Sequence, residues 1–94
     1  MASAQIEWGD KHPQLEWLGD ITREEVAKHN TKDDCWCIFQ GFVYNMTSYL
    51  KMHPGGPHTI LVNAGGDMTD DFMARHRWIS PNLIAKIKIG KLVD

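Results

Sequence analysis

His53-Pro54-Gly55-Gly56, followed by a second histidine at His76, 23 positions on, is the stretch around which the rest of the chain is arranged. Pro54-Gly55-Gly56-Pro57 can only turn, and its glycines allow the backbone to approach closely whatever the turn faces. Each histidine ends a segment with inward-pointing apolar residues: Met46, Tyr49 and Leu50 before His53, and Phe72 and Met73 before His76. Phe72 and His76 stand four apart, so on a helix they share one face. Pro57 suits the first position of a helix running to about Asn63, with Ile60, Leu61 and Ala64 at helical spacing and Gly65-Gly66 as its stop. Two imidazoles on separate short helices, joined by a helix–Gly-Gly–helix unit, would form the two walls of a slot.

Ninety-four residues make one domain, and 43% hydrophobic with 23% charged residues is ordinary for a globular protein. A core this small is often supported by a metal or cofactor. Ten basic residues against twelve acidic ones give a net charge of −2, which argues against a nucleic-acid partner. No apolar run reaches the roughly 18 residues of a membrane span, and the first residues lack the apolar core of a secretion signal. The two cysteines, Cys35 and Cys37, are one residue apart and point the same way in an extended segment, a poor framework for a disulfide. A reducing, cytoplasmic location is expected, free or at the endoplasmic reticulum surface.

Residues 1–20 carry Trp8 and Trp17 without any clear period and read as an irregular N-terminal arm, whose tryptophans either dock on a body formed by residues 21–94 or belong to a frayed terminus. Thr22-Arg23-Glu24-Glu25 is a capping box, which starts a short helix from Arg23 to about His29. Cys35–Phe39 and Phe42–Met46 are rich in aromatic and β-branched residues and are separated by Gln40-Gly41, a hairpin signal. Thr47 is expected to cap a helical turn through Leu50, and Thr69 to cap the helix that bears Phe72 and His76. Ser80-Pro81 opens a further helix with Leu83, Ile84 and Ile87 on one side, and the residues flanking Gly90 predict a closing strand. The fold class is therefore α+β: a small mixed sheet with several very short helices.

A lone histidine is usually structural or on the surface, and His12, His29 and His58 are read so. For His53 and His76 the ligand question is open. Structural zinc usually takes four ligands in close pairs, and neither Cys35/Cys37 nor His53/His58 has the usual spacing. Haem iron needs only two axial ligands and a broad apolar slot, which matches better, although spacing alone does not decide it.

From Ile21 to Val93 the chain resembles the cytochrome b5 domain family. The resemblance is carried by Lys28-His29-Asn30, Asp34-Cys35-Trp36, Gly41-Phe42-Val43-Tyr44-Asn45, His53-Pro54-Gly55-Gly56, Ala64-Gly65-Gly66-Asp67-Met68-Thr69, Phe72 and His76. It implies a cytochrome b5-like fold whose short helices form a haem pocket. Haem b would be held non-covalently, with His53 and His76 as axial ligands and Met46, Tyr49, Leu50, Ile60, Phe72 and Leu83 lining the porphyrin. The absence of a Cys-x-x-Cys-His attachment site agrees with that. Two protein imidazoles would leave no open position on the iron, so the implied role is single-electron transfer. The domain would be an electron carrier and not a catalyst in its own right. The rival reading is a haem- or steroid-binding interaction module without a redox role.

The chain also departs from the family pattern. The glutamates that commonly flank the His-Pro-Gly-Gly motif are replaced by Lys51-Met52 and Pro57-His58, which weakens the acidic docking rim. Arg77 stands where the family has a small polar residue; its guanidinium would either pair with a haem propionate or remain a solvated charge. His76-Arg77-Trp78, an inter-histidine spacing one residue shorter than usual and Asp33-Asp34-Cys35-Trp36-Cys37 look most like the NAD(P)H cytochrome b5 oxidoreductases, soluble fusions of a b5 domain to a flavin reductase. That implies a flavin-dependent reductase, tethered or separate, as donor. FAD and NAD(P)H would bind only to that reductase, and the acceptor is left open.

Overall fold

The computed structural model describes residues 11–51, 58–76 and 81–93, and for residues 51, 58, 59, 75, 76 and 81–83 the main chain alone. The elements run β1 (Gly19–Thr22), α1 (Arg23–Ala27), β2 (Asn30–Thr31), β3 (Asp34–Phe39), β4 (Phe42–Asn45), a 3-10 turn (Tyr49–Lys51), α2 (His58–Leu61), α3 (Thr69–His76), a 3-10 helix (Pro81–Ile87) and β5 (Lys88–Val93). The architecture is α+β. One five-stranded mixed sheet has the order β1-β5-β4-β3-β2, with β1 parallel to β5 and every other pair antiparallel.

The hairpin forms where Gln40-Gly41 predicts it. Phe39 pairs with Phe42, and the two turn residues have φ of 51° and 84°, the double positive φ of a type I′ turn. Alternation along β3 then sorts the core into two layers. Cys35, Cys37 and Phe39 face one cluster with Tyr44, Met46, Tyr49, Leu50, Ile60, Met68, Phe72, Ile84 and Ile87. Ile38 and Trp36 face the other, with Ile21, Val26, Val43 and Ile89.

Thr22 caps α1 as its sequence predicts, its hydroxyl accepting from the Glu25 N–H at 3.1 Å. The helix ends at Ala27, short of His29, because Asn30 and Thr31 leave it to pair with Cys35 and Asp34. Thr47 is not the cap expected of it: its hydroxyl donates to Asn45 Oδ1 (2.7 Å) and accepts from the Cys35 N–H (3.0 Å). At α3 the acceptor is Asp67, whose carboxylate takes both the N–H and the O–H of Thr69, at 2.9 and 2.6 Å. Helix α2 stops at Leu61 and passes through turns to Gly65, at φ +78°, a conformation glycine adopts without strain. The helix expected after Ser80 is 3-10 in kind, so Ile84 and Ile87, three apart, fall on one side and are both fully buried.

Strands β1 and β2 have no counterpart in the sequence reading. Strand β1 begins at Gly19, inside the stretch read as an arm. The preceding residues are also tied to the body: the Leu15 N–H bonds Lys86 O, the Leu18 N–H bonds Ile89 O, and His12 Nε2 lies 2.9 Å from Ser48 Oγ. Trp17 keeps 53% of its surface exposed, so it does not make the docking contact expected of it, and Trp8 lies outside the described residues.

Candidate functional site

Five of the residues predicted to line a pocket come together. Met46, from the end of the hairpin, Tyr49 and Leu50, from the 3-10 turn, Ile60, from α2, and Phe72, from α3, are all at most 5% exposed and belong to one cluster. Phe72 is held from below by Phe39, with ring centroids 4.9 Å apart and planes at 58°; Phe39 meets Tyr44 edge-on at 6.0 Å. That aromatic row seats α3 on β3. The helix is closed by His76, one turn beyond Phe72, about 6 Å along the axis. Leu83 is one residue before the buried Ile84 in the closing 3-10 helix. His53 and Arg77 lie outside the described residues, as do the side chains of His76 and Leu83.

The cluster is apolar apart from two phenols and two thiols. Burial raises the Tyr44 hydroxyl above its ordinary range. Cys35 and Cys37 are both free and buried, with sulfurs 3.9 Å apart, and the Cys37 thiol donates to Asn63 O at 3.6 Å. The sulfur–sulfur hydrogen bond and burial together push the Cys37 thiol far up, so it stays neutral. Among the described residues no group of three or more His, Cys, Asp or Glu side chains could hold a metal ion. No helix among them is long and apolar enough to cross a membrane.

A second constellation, on the Trp36 side of the sheet, escaped the sequence reading. His29 is more than the plain helix-end residue expected: its ring lies flat on the Trp36 indole, centroids 3.6 Å apart and planes 7° from parallel. Its Nδ1 reaches both Asp34 oxygens at 2.8 and 2.9 Å, and its Nε2 reaches Glu25 Oε2 at 2.8 Å. Burial pulls the imidazole pKa down, but the bonds to Asp34 and Glu25 outweigh it, and the net shift is upward. The bond from His29 in turn holds the Glu25 carboxyl below its ordinary value. The one sequence signal was the four-residue spacing of Glu25 and His29.

The profile of the family described as "Cytochrome b5-like Heme/Steroid binding domain" matches residues 22–93. Cytochrome b5 reductase 4 of Rattus norvegicus is 42% identical over 76 residues, covering 80% of this chain and 15% of the relative. Nitrate reductase [NADH] of Spinacia oleracea is 48% identical over 70 residues, 74% of this chain and 8% of the relative. The chain thus spans only a small part of these relatives' length. Among solved structures, cytochrome b558 of Ectothiorhodospira vacuolata, a prokaryotic homologue of cytochrome b5, superposes with a TM-score of 0.71 at 33% identity, over 78% of this chain and 96% of that one. On the profile match and on this likeness along nearly the whole of a solved relative, the chain belongs to the cytochrome b5-like heme/steroid binding domain family.

Proposed function

We propose that this chain is a b-type haem electron-transfer domain in which His53 and His76 are the axial ligands. When bound, haem b supplies a one-electron couple at iron. The observation that carries the reading is the position of His76, one helical turn beyond the buried Phe72 at the edge of an apolar cluster. Met46, Tyr49, Leu50, Ile60, Phe72 and Leu83 would provide the walls that exclude water, and an Arg77 guanidinium would suit a propionate carboxylate. His53 and His76 would hold the iron between them and leave it no open position, so the domain would carry electrons without catalysing a reaction of its own.

The donor in this reading is a flavin-dependent reductase, tethered or separate, that holds the FAD and NAD(P)H; relatives named as reductases in which such a domain is a small part support it. Tethering would keep the donor at high effective concentration and relax the need for a strongly charged docking face, in keeping with Lys51, Pro57 and His58 around the motif.

Absorption spectra before and after dithionite test the reading. Sharp, split visible bands on reduction, largely unchanged by carbon monoxide, are expected. His53→Ala and His76→Ala should each lower haem retention and stability together, because a cofactor stabilises only the state that binds it. A colourless protein that cannot be reconstituted with hemin would leave the interaction-module reading in its place. Unchanged haem content in both variants would rule out the ligand pair.

A further inference from the structure

We propose that protonated His29 is a pH-sensitive latch, joining the end of α1 to β3 and, through Trp36, holding the turn 62–66 that leads into α3. The geometry requires the proton. Ionised carboxylates only accept hydrogen bonds, and His29 has one against each ring nitrogen: Asp34 at Nδ1 and Glu25 at Nε2. A neutral imidazole has a single N–H, so on deprotonation one nitrogen lone pair would face a carboxylate oxygen. The flat stack on Trp36 adds a cation over an aromatic face.

The latch sits at a junction of main-chain bonds. The Trp36 N–H donates to His29 O (2.9 Å) and the Gly65 N–H to Trp36 O (2.8 Å), while the Gly66 N–H returns to Asn63 O (2.8 Å). The Asn63 side chain donates to Asp71 Oδ2 at 2.8 Å, in the first turn of α3. The charged groups around His29 come from two elements. Helix α1 supplies Glu25, itself paired with Lys28 at 3.5 Å just beyond the helix, and β3 supplies Asp34. Lys32 and Asp33, in the turn before β3, are exposed and make no bond to the ring, and β2 and the Gly65–Gly66 turn bring no ionisable side chain.

The sign follows from the two shifts. A histidine raised above 6.5 contributes stability that is complete below 6.5 and is lost as pH rises through its folded value. A glutamate lowered below 4.5 contributes stability that is complete above 4.5 and is lost as pH falls through its folded value. The latch is therefore fully closed between 4.5 and 6.5 and opens as pH rises from there through the folded-state value of His29.

An NMR titration of the His29 ring and the Gly65 amide in the purified protein tests this, together with urea midpoints taken at pH values below the 9.0 of an ordinary thiol. The His29 midpoint should lie above 6.5, fall in both Glu25→Gln and Asp34→Asn, and reappear in the Gly65 amide shift. The urea midpoint should drop across that same pH range in the wild type and not in His29→Gln, which leaves the other four histidines in place. A His29 midpoint at or below 6.5, or a Gly65 amide that does not follow it, overturns the proposal. Both are read on the wild type, so the test stands even where His29→Gln fails to fold.

Discussion

Phe72 on α3 rests on Phe39 of β3 with the ring centroids 4.9 Å apart and the planes tilted by 58°. This pair anchors α3 to the sheet one helical turn before the main chain of His76.

Phe72→Ala should cost about 3–5 kcal/mol, the usual range for truncating a buried phenylalanine, because Phe72 is only 4% exposed and holds the aromatic row together. Phe72→Leu keeps most of the volume and should cost less. Urea unfolding followed by tryptophan fluorescence checks both, and a Phe72→Ala protein as stable as the wild type would deny the row its role.

Gly90 is required by close approach. A Cβ there would meet Ile21 Cδ1 and lie 2.5 Å from Gly19 O, across the parallel β1–β5 pairing of Gly19 with Gly90. Gly90→Ala should cost about 1–3 kcal/mol as overpacking. Ile21→Val removes one of the clashing atoms, so the double variant should lose less than the sum of the two single losses. Additive losses would place the cost elsewhere.

Glu25 bears on acid stability. The hydrogen bond from His29 is the main cause of its lowered pKa, so the carboxylate favours the fold at pH above its unfolded value of 4.5 and ceases to do so as pH falls through its lower folded value. Glu25→Gln should be less stable than the wild type at pH 6, and the two should converge on acidification. A difference that holds constant down to the acid transition would contradict the linkage.

Cys35 and Cys37 should resist a thiol reagent such as dithionitrobenzoate in the folded protein and react fully in denaturant. Both are wholly buried, and Cys37 is held neutral by its hydrogen bond with Cys35 and by burial. Rapid native labelling of either thiol would contradict that packing.

Local patterns made much of this protein legible from its residues. Gln40-Gly41 between two apolar runs is a turn whatever surrounds it, and Thr22 with Glu25 three residues on is a cap, because both devices are closed within a few residues of chain. The alternation that turns Cys35 and Cys37 to the same side is likewise local, and it makes them neighbours in a single core layer. The grouping of Met46, Tyr49, Leu50, Ile60 and Phe72 follows from the family resemblance, and the structure buries all five in one cluster.

What the sequence could not show depended on partners distant along the chain. Strand β1 has little β character of its own and exists because β5, about seventy residues later, offers it a parallel edge. Thr47 does not cap because its hydroxyl bonds the Cys35 N–H twelve residues back, and Thr69 does not because Asp67 and Gln40 claim its polar groups. His29 became a charged latch only when β3 brought Asp34 and Trp36 against it. By itself the sequence determined the hairpin turn, the Thr22 cap, the strand alternation and the family-bearing motif, all of which are short-range chemistry. The tertiary structure alone decided which hydrogen-bonding groups, left unpaired by local structure, would meet, because burial obliges each of them to find a partner wherever the fold supplies one.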